Sequence, residues 1–123
     1  MSRTRHYRDL IAWQKAMDLA RAIYEQTEDF PKSESFGLRM QLRRSAVNVA
    51  SHIAEGHGRL TDSEMRRGLS SARGALNELE TQTELAGSLG FFAANAADRL
   101  LELSTEVAKL INGLIGVLEQ ETR

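Results

Sequence analysis

The stretch Gln41 to Arg59, QLRRSAVNVASHIAEGHGR, decides the fold, because it carries two lines of different chemistry on one helix. Leu38, Leu42, Ser45, Val49 and Ile53 recur at spacings of three and four, which lines one helical face and predicts a core stripe. A second line, Gln41, Arg44, Asn48, His52 and Glu55, keeps the same spacing roughly 80–100° further round the helix. Every member of it is polar. Two amides, a guanidinium, an imidazole and a carboxylate in file suit specific hydrogen bonding better than a solvated mixture of Lys and Glu would. The stripe is therefore expected to be at least partly buried against a helix or another subunit, with Arg44 paired to a carboxylate.

Working outward, the same periodicity gives three more helices. Before the stretch, Leu10, Trp13, Met17, Ala20 and Tyr24 repeat at three-four spacing behind Asp9, a candidate N-cap, and Pro31 stops the pattern. Ser33 to Ser35 offer caps for the helix that contains the stretch. After it, Gly56-His57-Gly58 is expected to break the helix, one glycine taking the left-handed terminal conformation. Thr61-Asp62-Ser63-Glu64 then reads as a capping box, and Met65, Leu69, Ala72, Leu76, Leu79, Thr83 and Ala86 follow a four-three alternation. Gly68 and Gly74 within that run, each costing up to ~1 kcal/mol against Ala, imply that another backbone comes close there. Asn95 caps a last helix.

The reading is all-α: an antiparallel up-down-up-down four-helix bundle, residues 1–123 forming one domain with helices at about 10–28, 37–55, 62–89 and 95–120. The hairpins are unequal, so the tip at Phe91 and Phe92 should overhang unless the Phe30 to Phe36 loop folds over it. The last helix carries two apolar seams, Leu100, Leu103, Val107, Leu110, Leu114 and Val117 on one side and Leu101, Ala108, Ile111, Ile115 and Leu118 on the other. One neighbour cannot cover both. Leu101, Ile111, Ile115 and Leu118, with Phe91, Phe92, Leu19 and Ile23, are therefore expected at a subunit interface, and the protein is expected to be a homo-oligomer.

Composition narrows the function. There is no Cys, which excludes a disulfide scaffold and a thiolate metal site. The charged N-terminus and the lack of a long apolar run give no signal for a membrane span, and a cytoplasmic location is expected. Net charge is −1, against a protein that coats nucleic acid non-specifically. The charge is unevenly spread: residues 1–73 hold thirteen Arg/Lys against nine Asp/Glu, and residues 74–123 hold three against eight. Arg outnumbers Lys thirteen to three, which suits bidentate pairing with carboxylate or phosphate.

No constellation for catalysis is present: HExxH, the paired Glu-x-x-His of di-iron bundles, nucleophile elbows and the phosphate-loop pattern are all missing. His52, Glu55 and His57 fall close together, but His57 lies past the expected helix break, and no metal or other cofactor is expected. The protein is not expected to be an enzyme. Arg39, Arg43, Arg44, Arg59, Arg66 and Arg67 gather near the second helix, its loop and the start of the third. They suit contact with RNA or partner phosphates. Pairing with Glu55, Glu64, Glu78 and Glu80, or with a neighbour's acidic helix, suits them too.

Several of these segments resemble a family, the small bacterial four-helix-bundle proteins named after the 23S rRNA intervening sequences that encode some members. Tyr7-Arg8-Asp9-Leu10 with Trp13-Gln14-Lys15-Ala16 is similar to its opening, and Phe36-Gly37-Leu38 with Gln41, Arg43 and Arg44 to its second-helix entry. Ile53-Ala54-Glu55-Gly56 followed by Gly58-Arg59 resembles its most characteristic motif, and Ala72-Arg73-Gly74-Ala75-Leu76 with Glu78-Leu79-Glu80 its third helix. His52 and Ala50 depart from the family's usual Asn and Pro. The resemblance implies a ring-like homo-oligomer, typically a pentamer, without enzymatic activity, and related bundle proteins of retroelements bind nucleic acid and a reverse transcriptase. The expected function is thus a non-enzymatic oligomeric binding or scaffold protein of RNA or ribonucleoprotein; the alternative is a protein–protein adaptor or structural oligomer with no nucleic-acid role.

Overall fold

Four α-helices account for most of residues 6–121, the part described by this computed structural model. After a short 3-10 turn at Tyr7–Asp9 come α1 (Ile11–Gln26), a second 3-10 turn (Lys32–Glu34), α2 (Leu38–His57), α3 (Asp62–Ser88) and α4 (Ala96–Glu121). Each helix packs against its two neighbours in a closed square, α1 on α2, α2 on α3, α3 on α4 and α4 on α1, and the diagonal pairs do not meet. This is the antiparallel four-helix bundle that the periodicity implies. No strand occurs among the described residues.

The local chemistry explains where the helices begin and end. Thr61 is extended and its hydroxyl oxygen accepts from the Glu64 backbone N–H at 3.1 Å, the expected N-cap of α3. Elsewhere the caps differ from expectation. Leu10, not Asp9, precedes α1 and gives no side-chain cap, since Asp9 is used in the preceding 3-10 turn. At α2 the serines are not used; the Glu34 carboxylate accepts from the Leu38 backbone N–H at 2.9 Å, placing negative charge at a helix N-terminus. Gly56 does not end α2, which runs on to His57, and Gly58 has an ordinary right-handed φ of −77°. Among the described residues only Gly90, after α3, has positive φ.

The core stripe of α2 behaves as its spacing requires. Leu42, Ser45, Val49 and Ile53 are buried with Leu19 and Ile23 of α1, Leu69, Leu76 and Leu79 of α3 and Val107 and Ile111 of α4. The buried polar groups are satisfied close to home: Thr27, Thr83 and Ser104 each donate a hydroxyl hydrogen bond to the carbonyl four residues back, at 2.7, 2.7 and 2.9 Å. Ser45 instead donates to the Gln82 amide oxygen across the α2–α3 seam at 2.9 Å.

Two expectations about close packing are settled by geometry. A Cβ on Gly68 would stand 2.6 Å from the Gly56 Cα, so this pair of glycines lets the α2 and α3 backbones touch. At Gly74 a Cβ would meet nothing within 4 Å, so this glycine answers to no contact inside the subunit. The α3–α4 tip does not overhang. Phe30 folds over it, its ring 5.5 Å from Phe91 and 5.0 Å from Phe92.

The doubled seam of α4 resolves differently from its reading in sequence. Ile111, Ile115 and Leu118 are 0, 7 and 4% exposed and belong to the subunit's own core, as do Phe92, Leu19 and Ile23. The core line is Leu100, Ser104, Val107, Ile111, Ile115 and Leu118, which draws from both expected seams. Leu101 and Phe91 are half-buried. These eight interface candidates therefore offer no free apolar ridge to a neighbour.

Candidate binding surfaces of the bundle

The polar stripe lies where α2 turns from α3 toward solvent. Asn48 and His52 are half-buried, whereas Gln41, Arg44 and Glu55 are exposed. Among the described residues Arg44 meets no carboxylate, which corrects the expected pair. The pair that forms is Glu55 with Arg59, 2.8 Å apart and one helical turn on. The hydrogen bond from Arg59, and then its charge, hold the Glu55 carboxyl below the usual carboxylate range, and the same hydrogen bond raises Arg59. His52, Glu55, Arg59, Glu64, Arg67 and Ser71 border a cleft of about 220 Å³ above the Gly56–Gly68 contact.

The six arginines do not form one cluster. Arg39, Arg43 and Arg44 stand on the first turns of α2, while Arg59, Arg66 and Arg67 stand past its far end. At ~1.5 Å per residue the two groups are separated by about 20 Å along the helix axis. In the first group Arg43 is held firmly. Its Nε donates to Thr27 Oγ1 at 2.9 Å, its Nη2 to the Tyr24 carbonyl at 3.1 Å and to Glu28 Oε2 at 3.2 Å, and its guanidinium lies 4.4 Å from the Tyr24 ring centre. Arg39 shares Glu28 at 3.5 Å. In the second group only Arg59 has a carboxylate partner described above; Arg66 and Arg67 have none among the described residues. The partners proposed for these arginines thus hold for Glu55, while Glu28 was overlooked because it lies across a helix boundary in sequence.

A large apolar opening lies between α1 and α2. Trp13, Met17, Tyr24 and Val47 wall a groove of about 650 Å³ whose floor is Ala20, Ala50 and Ala54, with Arg21 and Glu25 also bordering it. Val47 is 43% and Tyr24 44% exposed, and Met40 lies nearby on the same side of α2. Val47 belongs to neither stripe of the Gln41–Arg59 stretch. The signal that could have found it is the spacing Met40, Val47, Ala54, one residue per two turns on a third face. Trp13 and Met17, on the apolar line of α1, are half-buried and border this groove. Further exposed apolar side chains, Leu85 and Leu89, stand at the end of α3.

Among the described residues no group of three or more His, Cys, Asp or Glu side chains comes together to hold a metal ion. No described helix is long and apolar enough to cross a membrane.

With this geometry in hand, comparison with known proteins is informative about fold and kinship. The chain resembles a solved structure from Bacteroides thetaiotaomicron, a protein with unknown function from the S23 ribosomal protein family. The TM-score is 0.77 at 21% identity, covering 85% of this chain and 98% of that one, a likeness of fold. No curated protein matches. The family of 23S rRNA-intervening sequence proteins matches residues 8–113, a span that holds the whole Gln41–Arg59 stretch, all of α1, α2 and α3 and most of α4. The chain is a member of the 23S rRNA-intervening sequence protein family.

Proposed function

We propose that this protein is a non-enzymatic scaffold that works as a homo-oligomer and binds RNA or a ribonucleoprotein. The observation that carries the proposal is the α1–α2 groove, an apolar channel of about 650 Å³ left open by the packing of the described residues. Monomers seldom leave large contiguous apolar patches in water. A ring built from head-to-tail contacts uses two different surfaces per subunit. The basic first part of the chain, which includes this groove, and the acidic second part supply surfaces of opposite charge. Five copies is the number that the family resemblance suggests.

RNA as the partner is supported by arginines that the fold does not use. Arg44, Arg66 and Arg67 have no carboxylate partner among the described residues, although the protein holds more Asp and Glu than Lys and Arg. The test is the salt dependence of binding to single-stranded RNA. Phosphate contacts predict an affinity that falls steeply between low and moderate salt. No measurable binding at low salt would leave the adaptor reading, which the apolar groove also favours.

A further inference from the structure

The geometry points to a phosphate-binding site for the backbone of single-stranded RNA in the cleft formed by the end of α1 and the start of α2. This inference rests on the RNA reading above and picks, from the six arginines, the three that form a site. The cleft has a volume of about 380 Å³ and is bordered by Arg39, Arg43 and Arg44, with Ser35 and Asn48 as further polar groups and Tyr24, Met40 and Val47 as an apolar wall.

Three observations favour an anion here. Charge is the first: three arginines border the cleft and no carboxylate is among its bordering residues, while Glu28 beside it contacts Arg39 and Arg43, at 3.5 and 3.2 Å. Unused hydrogen-bonding capacity is the second. Arg39 Nε is buried with no hydrogen-bond partner, and among the described residues the side chains of Arg44, Ser35 and Asn48 donate to nothing. A buried donor left unpaired is costly, and a phosphate oxygen is an acceptor that would satisfy it. Preorganisation is the third, because Arg43 is fixed by Thr27, Tyr24 and Glu28 before any ligand arrives. Met40, which borders this cleft and not the α1–α2 groove, gives the nucleoside beside that phosphate an apolar surface to lie on. Glu28 is 71% exposed at its side chain and sits as the competing anion that a phosphate would displace from Arg39.

The experiment measures binding of a labelled, short single-stranded oligoribonucleotide by fluorescence anisotropy across a salt series. The proteins are the full chain, Arg39→Gln with Arg44→Gln, Arg66→Gln with Arg67→Gln, and Glu28→Gln. Arg43 is left in place because it joins α1 to α2. Removing Arg39 and Arg44 should weaken binding about tenfold or more at low salt and flatten the log–log salt slope by about 1.4, the value for two phosphate contacts to a single strand. Glu28→Gln should tighten binding about threefold, by removing the competing anion. The Arg66, Arg67 variant should stay within about twofold of the parent. If the Arg39, Arg44 variant binds as the parent does while the Arg66, Arg67 variant loses affinity, this site is wrong and the RNA reading stands. If Glu28→Gln lowers the melting temperature and leaves affinity unchanged, Arg39 and Arg43 serve folding alone and the site is again wrong. If the full chain binds no RNA at low salt, the RNA reading fails and takes the site with it.

Discussion

The two sides of α2 use small residues to opposite ends. Toward α3, Gly56 and Gly68 remove side chains so completely that the backbones meet, and a single added Cβ would stand 2.6 Å from a Cα. Toward α1, Ala50 and Ala54 with Ala20 form the floor of a groove that stays open among the described residues. One seam is closed by the absence of side chains, and the other is left open by it. The difference lies in what stands beside the small residues. Along α3 the alternation of Met65, Leu69, Ala72 and Leu76 covers the α2 core stripe directly, whereas Trp13, Met17 and Tyr24 of α1 hold α2 off at one edge and wall the channel. Composition alone does not tell an interior contact from an open groove.

The contrast is broken most strongly at its closed side. Gly68→Ala should destabilise the subunit by about 1–3 kcal/mol, the usual cost of overpacking, because only rigid backbone at Gly56 and the His52 carbonyl could give way. Urea denaturation measures this directly. Gly74→Ala, on the same helix but with nothing within 4 Å, should instead stabilise by about 0.5–1 kcal/mol through helix propensity. Equal destabilisation at both sites would mean that the seam is not the reason for either glycine.

Smaller effects are expected where the surface is open. Arg44→Ala should change the unfolding free energy by less than about 0.5 kcal/mol, the range of a surface substitution away from special features. This reverses the expectation drawn from the stripe, and a loss of several kcal/mol would show a partner for Arg44 in an assembled subunit. The smallest effect concerns Glu55. Its carboxyl is held below the usual range by Arg59, so their interaction favours the folded state above the unfolded carboxylate value and is lost as pH falls through the lowered folded value. Glu55→Gln should therefore lower the neutral plateau slightly, leave stability unchanged once pH has fallen below the carboxylate range, and so remove a slight acid-side slope between the two.

Much of the architecture was legible because hydrophobic period reports helix type and order without knowledge of partners. The Thr61 cap was legible for the same local reason, since the acceptor and the N–H it serves are three residues apart. What failed needed tertiary information. In α4 the spacing puts Leu103 and Ile111 on separate seams and Ile111 at an interface, because a search for apolar periodicity passes over Ser104. Its hydroxyl bonds to the Leu100 carbonyl, which lets a polar residue be buried and moves the core line by one position. Gly56 looked like a helix end, yet the helix passes through it because a glycine is needed for contact with α3. The arginines looked like one patch because they are close in sequence, whereas a helix of 20 residues keeps its two ends apart. Val47 was not legible as a groove residue because the groove is built from residues of two helices that are far apart in sequence.

If another copy closes the open side of α2, light scattering coupled to size exclusion should find the full chain at micromolar concentration with a mass several times 13.7 kDa, and Val47→Glu should reduce it to the single-chain mass with an unchanged helical circular-dichroism spectrum. A stable mass of one chain for the unmodified protein would mean that no other copy covers the groove.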